Sequence, residues 1–183
     1  MAKRPQVITV TPPVVIAYAW LRKPDEGQEF SDGKYKTTAL LPKDDPETIE
    51  FIKTMTPQVE ELAIKEFGEI PKGFKYPWKD GDLTEKDDFK NHWMIVAKSK
   101  FLPGFVDKQK KGIAVDDAPM SGDLVRLAVS FGPYSAGGAK GVSGQLRNVM
   151  LVERRNMSGD AFAEIEAVAS ADVSEETEDD YDI

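Results

Sequence analysis

The sequence holds one histidine, His92, and no cysteine. Cys–His nucleophile pairs, thiolate zinc sites and histidine clusters are therefore out of reach. A Ser–His–acid triad needs its nucleophile on a sharp turn, and no G-x-S-x-G segment supplies one. His92 stands beside Trp93 at the start of an apolar run, a setting for a structural or exposed histidine rather than a catalytic one. The acidic stretch DGDLTEKDD, from Asp80, opens like a calcium loop. It carries Glu85 where the sixth-position glycine belongs and Asn91 where the final glutamate belongs. Scattered acids near a strand lysine such as Lys98 or Lys100 could build a magnesium-dependent nuclease, but their spacing singles none out.

Phosphate chemistry has one further candidate, GPYSAGGAKGVSG, from Gly132 to Gly144. Gly132 and Gly137 have phosphate-loop separation, yet Gly138 stands where the lysine must be, and Lys140 is followed by Gly141 rather than Ser or Thr. Gly138-Ala139-Lys140-Gly141 has the GXXG spacing that clamps RNA backbone between helices, but here it joins two strands. What stands is a flexible, glycine-rich hairpin loop carrying Lys140 and Tyr134. It is either an ordinary turn needing φ > 0 or a loop that contacts nucleic acid.

Basic residues recur where strands are expected. Side chains alternate faces along a strand, so Lys34 and Lys36 share one face with Tyr35 on the other. Lys98 and Lys100 share a face opposite Trp93 and Phe101. Arg126 is the one charge among apolar neighbours, and Arg147 follows Ser143 and Gln145. Such a face can track phosphates while aromatic rings take up bases, each stack worth about 1–3 kcal/mol. The candidate stacking rings are Tyr18, Tyr35, Phe101, Phe105 and Tyr134, and Trp78 with Lys79 could close over a bound strand. The competing reading is that these lysines only wet and protect strands, that the rings are core, and that Trp78 plugs the end of a barrel.

Charge is divided unevenly. The net charge is −8, but of the 32 acids ten lie beyond Ser158, and no Lys or Arg follows Arg155. The remaining 22 acids face 24 Lys and Arg, so the body carries about +2 and the end carries all the net acidity. That end finishes on Asp179, Asp180, Tyr181, Asp182 and Ile183. A polyanion of this kind can lie in its own body's cationic groove and compete with DNA phosphates, the competition weakening with salt. Once displaced, its apolar tip offers a protein pocket something to grip. The plainer alternative is a solubilising end.

The elements that must position these residues follow from periodicity. Val14–Leu21 and Lys34–Leu41 read as two strands of a hairpin. A helical stretch comes next, with Asp45 as cap, Pro46 in the first turn, apolar positions Ile49, Ile52, Met55, Val59, Leu62 and Phe67, and Gly68 as stop. Pro57 is expected to kink or split it. Glu69 to Asn91 reads as a long loop, and Trp93–Phe101, Asp123–Phe131 and Gly141–Glu153 as three more strands. The expected fold is mainly β with a helical insertion: a five-stranded antiparallel barrel with a helix closing one end. AFAEIEAVA could form a short helix, and the last dozen residues are expected to be disordered. No run of about 18 apolar residues appears, and the opening MAKRPQVITV lacks a signal-peptide core, so a cytoplasmic protein is expected.

The segments KYKTTALLPK (from Lys34), YPWKDGD (from Tyr76), IVAKSKFLPGFVD (from Ile95) and GDLVRLAVSFGPYSAGGAKGVSGQLRNV (from Gly122), in that order, resemble a family of phage single-stranded DNA-binding proteins. The acidic end with a nearby aromatic is similar to that of the replicative single-stranded DNA-binding proteins of bacteria and tailed phages. The best-known relatives end on Phe, whereas this chain ends on Ile183 with Tyr181 two places earlier. The resemblance implies an OB-fold and sequence-tolerant single-strand binding in phage replication or recombination. The OB-fold usually carries its helix between strands three and four, and here the helical segment falls between the second and third. The division expected is a DNA-binding domain over 1–157 and a disordered acidic tail over 158–183. Lys34, Lys36, Lys98, Lys100, Arg126, Lys140 and Arg147 are the expected phosphate contacts, and Tyr35, Trp78, Phe101, Phe105 and Tyr134 the expected stacking residues. Asp179 to Ile183 would hold partner proteins. No cofactor, metal, catalytic residue or membrane is expected, and the location implied is the host cytoplasm. The alternatives are a non-catalytic protein-interaction or virion-associated module and, behind it, the magnesium nuclease.

Overall fold

The computed structural model describes residues 4–27 and 29–155. The five expected strands are present as β2 (Val14–Trp20), β3 (Tyr35–Pro42), β5 (His92–Ser99), β7 (Leu124–Ala136) and β8 (Ala139–Glu153). Three short ones were not foreseen: β1 (Val7–Val10), β4 (Trp78–Asp80) and β6 (Gly104–Val106). Each lies along a longer strand, β1 on β7, β4 on β5 and β6 on β8. The Glu69–Asn91 segment is accordingly not all loop.

The five main strands close on themselves. β2 pairs with β3, β3 with β5, β5 with β8, β8 with β7, and β7 returns to β2. Four of these junctions are antiparallel, and the fifth, β5 with β8, is parallel through Ala97↔Gly144 and Lys98↔Gln145. The expected all-antiparallel ring is corrected by parity, because strand directions cannot alternate around a closed ring of odd number. The ring is OB-like, with its helix after the second ring strand.

Alternation fixes what the ring encloses. Ala39 and Leu41 on β3, Ile95 and Ala97 on β5, and Leu127, Val129 and Phe131 on β7 are fully buried. Each large aliphatic or aromatic side chain so placed contributes about 1.5–3 kcal/mol. The expected Gly132–Gly144 loop is mostly strand. β7 and β8 pair as far as Ala136↔Ala139, and only Gly137 and Gly138 turn, at φ 57 and 81. Two successive positive φ values are the mark of the hairpin turn whose twist suits its strands, and glycine takes them without strain.

The helix α1 (Pro46–Phe67) begins at Asp45, whose carboxylate accepts from the Glu47 N–H at 2.9 Å, and ends at Gly68 in the left-handed region, φ 83. Pro57 neither splits it nor ends it. A buried face of Phe51, Met55, Val59 and Leu62 holds both halves to the barrel. Pro57 and Lys53 are exposed, so the carbonyl that loses its donor can meet water. Ile49, expected on the buried face, is 53% exposed, and Thr48 and Phe51 are inside instead. Among the described residues no helix is long and apolar enough to cross a membrane. The AFAEIEAVA helix and the disordered acidic end were expected outside the described residues.

Candidate nucleic-acid interface

Strand register brings four outward side chains into one row. Trp20 pairs with Lys36, Lys36 with Lys98, and Lys98 with Gln145, across β2, β3, β5 and β8. Directly opposed residues share a face, so two ammonium groups lie side by side with an indole at one end and an amide at the other. The β2–β3 loop supplies their counter-charges. Lys36 Nζ is 2.5 Å from an Asp25 carboxylate oxygen and 3.5 Å from Asp32, and Lys98 Nζ is 2.9 Å from the second Asp32 oxygen. The Lys98 hydrogen bond, helped by the Lys34 N–H, holds the Asp32 carboxyl down at about 2. Asp25 pushes the Lys36 ammonium above the ordinary lysine range.

Two exposed aromatics flank this row. Tyr35 and Ser99 pair at one end of the β3–β5 ladder, and the chain on either side leaves as loops. Phe30, in the β2–β3 loop, is 91% exposed, and Phe101, just past β5, is 76% exposed. The Phe101 N–H donates to Ser99 Oγ at 3.0 Å, which fixes the turn that presents it. Lys100 is exposed at the same turn, and Lys34 is half-buried at the start of β3. Tyr35 has the inward parity of Thr37 and Ala39 and is half-buried.

Tyr18 forms a second aromatic feature. It lies where β2 is irregular, between the pairs Ala17↔Thr38 and Trp20↔Lys36. Its φ is 50, an uncommon backbone state for a bulky residue. Its ring meets Phe89 edge-on at 5.9 Å, while Lys86 Nζ sits 4.4 Å above it and also bonds its hydroxyl. The segment before β5 thus reaches across to β2.

The other expected site residues lie elsewhere. Arg126 on β7 is exposed, donates to the Thr11 carbonyl at 3.1 Å, and borders a groove between β1 and α1 with Glu47 and Glu50. Arg147 is exposed on β8, skipped by the pairing as Val129↔Leu146 gives way to Ala128↔Asn148. That irregularity sits two residues beyond Gln145 and can re-aim the guanidinium. Lys140 and Tyr134 belong to the hairpin end: Tyr134, level with Gly141, is about 13 Å along the strand from Gln145 at four residues' rise, and Lys140 about 17 Å at five. Lys140 lies 5.3 Å over the Phe67 ring at the end of α1, and Tyr134 pairs with Gly141.

Two expected stacking residues are in the core. Phe105 is 5% exposed, because β6 lies along β8 with that side chain inward. Trp78 is buried, stacked 5.6 Å from Tyr76 and edge-on to Phe131 at 6.4 Å, which is the plug arrangement; Lys79 beside it is exposed. Neither ring has a free face for a base. Asp80 and Asp82, which open the calcium-like stretch, both bind Lys43, and their carboxyls are held below the usual range chiefly by that lysine. Among the described residues no group of three or more histidines and acids is placed to hold a metal. His92 Nδ1 is 2.7 Å from the Lys90 carbonyl, so that nitrogen carries the proton. Asp179, Asp180, Tyr181, Asp182 and Ile183 lie outside the described residues.

Sequence reasoning missed Trp20 and Phe30, and had Gln145 only as a neighbour of Arg147 on its strand face. Trp20 falls within the first expected strand with no face assigned, and the bulge at Tyr18 and Ala19 is what shifts it to the outward face. Phe30 had a signal: it is a lone aromatic in a Gly-, Asp- and Glu-rich turn where no core argument needs one.

A family profile described as "Enterobacter phage Enc34, ssDNA-binding protein" matches residues 6–182. Among proteins of curated function none matches the chain. The fold is similar to that of the single-stranded DNA-binding protein from bacteriophage Enc34, at TM-score 0.68 and 19% identity over 84% of this chain and 85% of that one. The same phage protein in complex with ssDNA aligns at TM-score 0.66 and 18% identity, covering 80% of this chain and 86% of that one. The gp2.5 single-stranded DNA-binding protein of bacteriophage T7 aligns at TM-score 0.61 and 22% identity, covering 86% of this chain and 97% of that one. With a profile match over nearly its whole length, this chain belongs to the Enc34 phage ssDNA-binding protein family.

Proposed function

We propose that this protein is a sequence-tolerant single-stranded DNA-binding protein of phage DNA replication and recombination. The observation that carries this reading is the outward row Trp20, Lys36, Lys98 and Gln145 on an OB-like ring, in a chain of the Enc34 family. Lys36 and Lys98 would neutralise phosphates, with Lys34, Lys100 and Arg147 extending the path. Trp20, Phe101, Phe30 and Tyr18 are the rings with exposed or half-exposed surface for bases. Contacts of these two kinds carry little sequence information, since phosphates are uniform and every base has a π-face. Lys140, Tyr134 and Arg126 would meet only a longer strand that runs beyond the row.

The DNA-binding domain is proposed to span residues 1–157 and the acidic arm 158–183. The arm's ten acids compete with DNA for the body's cations, and Asp179 to Ile183 recruit partner proteins once DNA has displaced them. The protein is proposed to act without catalysis, a reading supported by the engagement of Asp80 and Asp82 with Lys43. Its place of action is the cytoplasm of the infected host, where phage DNA is copied.

Fluorescence anisotropy of labelled poly-dT tests this, comparing the full chain with one truncated after Met157 across a salt series. Binding that fades with salt and tightens on truncation supports both groove and arm. No binding by either form replaces this function with a protein-interaction or virion-associated role. Cleavage with magnesium and none with chelator would make the protein a nuclease.

A further inference from the structure

The two lysines of the outward row are already engaged by anions of the protein itself. One Asp32 oxygen accepts from Lys34 N–H at 3.1 Å and faces Lys36 Nζ at 3.5 Å, while the other accepts from Lys98 Nζ at 2.9 Å. One carboxylate thus spans two ammonium groups with its two oxygens, as the two free oxygens of a phosphodiester would. Asp32 does not stand on the tip of its loop. Asp25 N–H donates to the Lys34 carbonyl and Gly33 N–H to the Asp25 carbonyl, each at 2.9 Å, which closes the loop's base around it. Moving the carboxylate off Lys98 therefore takes a side-chain rotation, not an opening of the loop.

We propose that Asp32 is an internal phosphate mimic, occupying the Lys36–Lys98 pair in the free protein and displaced from Lys98 when a DNA phosphate arrives. This rests on the reading of the row as the DNA path. The two lysines are not equivalent in the exchange. Lys36 is the more enclosed, its side chain 19% exposed and held by Asp25, itself 12% exposed in its side chain. Lys98 is 44% exposed and has Asp32 as its ion-pair partner. An exposed pair of that kind is weak and can be traded, whereas the Asp25 contact keeps Lys36 aimed along the row throughout. A lone anion gains too little to displace Asp32. A strand that engages neighbouring cations at the same time gains enough, so the carboxylate sets a threshold that favours polyanions.

Asp32→Asn tests the proposal, because the amide keeps an acceptor for the Lys34 N–H and the shape of the turn but drops the charge. By anisotropy of labelled poly-dT at about 0.1 M salt, it should bind about fivefold more tightly than the wild type. In a Lys98→Ala background the same substitution should change affinity by less than about twofold, because its effect runs through Lys98. A wild type that binds with an Asp32→Asn variant that does not bind more tightly overturns the proposal. A gain equally large without Lys98 also overturns it, since that would be the general field of one removed charge. A wild type that does not bind poly-dT removes the DNA reading itself, and the proposal with it. A measurement on the unaltered protein stands beside these: the Asp32 carboxyl carbon resonance should move on titration with oligo-dT, and a resonance that stays fixed while DNA binds overturns the displacement.

Discussion

Lys36 and Lys98 stand opposite each other on adjacent antiparallel strands, and the Asp32 carboxylate reaches both ammonium groups, at 3.5 and 2.9 Å. Like charges directly across a ladder destabilise it by some tenths of a kcal/mol. The fold retains this pair and offsets it with Asp25 and Asp32 from one loop. An arrangement kept only for solubility would need neither the register nor the two carboxylates. A row that must offer cations to a polyanion needs the register, and it needs something to hold those cations in place when the polyanion is absent.

Lys98→Ala should weaken binding to poly-dT and flatten its dependence on salt. Each phosphate that the protein no longer neutralises lowers the slope of log affinity against log salt by about 0.7 for a single strand. Replacing Lys36 and Lys98 together should flatten it about twice as much. Lys65→Ala is the matched control, since that lysine lies on the exposed side of α1 and pairs with Glu61. Salt titration by anisotropy reads all three, and equal slopes for the wild type and the double variant would remove the row from the DNA path.

Phe101 and Phe105 are four residues apart and should fail in opposite ways. Phe101 is exposed, so Phe101→Ala should leave the melting temperature unchanged while weakening poly-dT binding by about 1–3 kcal/mol. Phe105 is core, so Phe105→Ala should cost about 3–5 kcal/mol of stability. Thermal unfolding and anisotropy on the same two variants separate the roles, and a destabilised Phe101→Ala would show that its ring packs in solution.

The sequence pattern exposed the five ring strands because each is long, β-branched and bounded by turn residues. It left β1, β4 and β6 hidden because three or four residues carry no usable period, and Pro12, Pro77 and Pro103 next to them read as loop. The parallel β5–β8 junction could not be read locally, since it follows from ring closure rather than from either strand. Lys36 and Lys98 were legible as outward cations, but their register was not. Nor was the anchoring of both by Asp25 and Asp32, which lie in a turn whose acids looked like ordinary surface. Phe105 and Trp78 fall outside every strand the pattern shows, and the short strands β6 and β4 that turn their rings inward are the ones whose length hides them.

Acid should act on stability through Asp32. Its folded carboxyl sits at about 2 against an ordinary 3.8, lowered first by the Lys98 hydrogen bond. A depressed folded pKa contributes stability that is complete above the unfolded value and disappears as pH falls from about 3.8 toward about 2. Asp32→Asn should therefore melt below the wild type at neutral pH, and the gap should close as pH approaches 2. Unfolding curves from pH 7 to 2 check this; a gap of constant size would mean that the variant loses packing rather than charge.

The hairpin end is held by a contact that allows no side chain at Gly141. A Cβ there would lie 2.4 Å from the Lys75 carbonyl oxygen and 3.0 Å from the Tyr134 ring. The same carbonyl accepts from Val142 N–H at 2.9 Å, and Lys75 N–H donates to the Lys140 carbonyl at 3.0 Å. Because the obstacle is backbone, it cannot rotate away, and Gly141→Ala must push the segment after α1 off the hairpin. The expected loss is about 1–3 kcal/mol, as for other overpacked sites. Gly112→Ala provides the comparison, since a Cβ at Gly112 meets nothing within 4 Å, and it should stay within about 0.5 kcal/mol of the wild type. If the hairpin end also touches DNA, Gly141→Ala should weaken binding of a long oligonucleotide more than a short one, because a short strand fills the Lys36–Lys98 row without reaching Lys140. Equal melting temperatures for the two variants would show that the hairpin end is not held by the Lys75 segment, and the placement of Lys140 and Tyr134 would have to be redrawn.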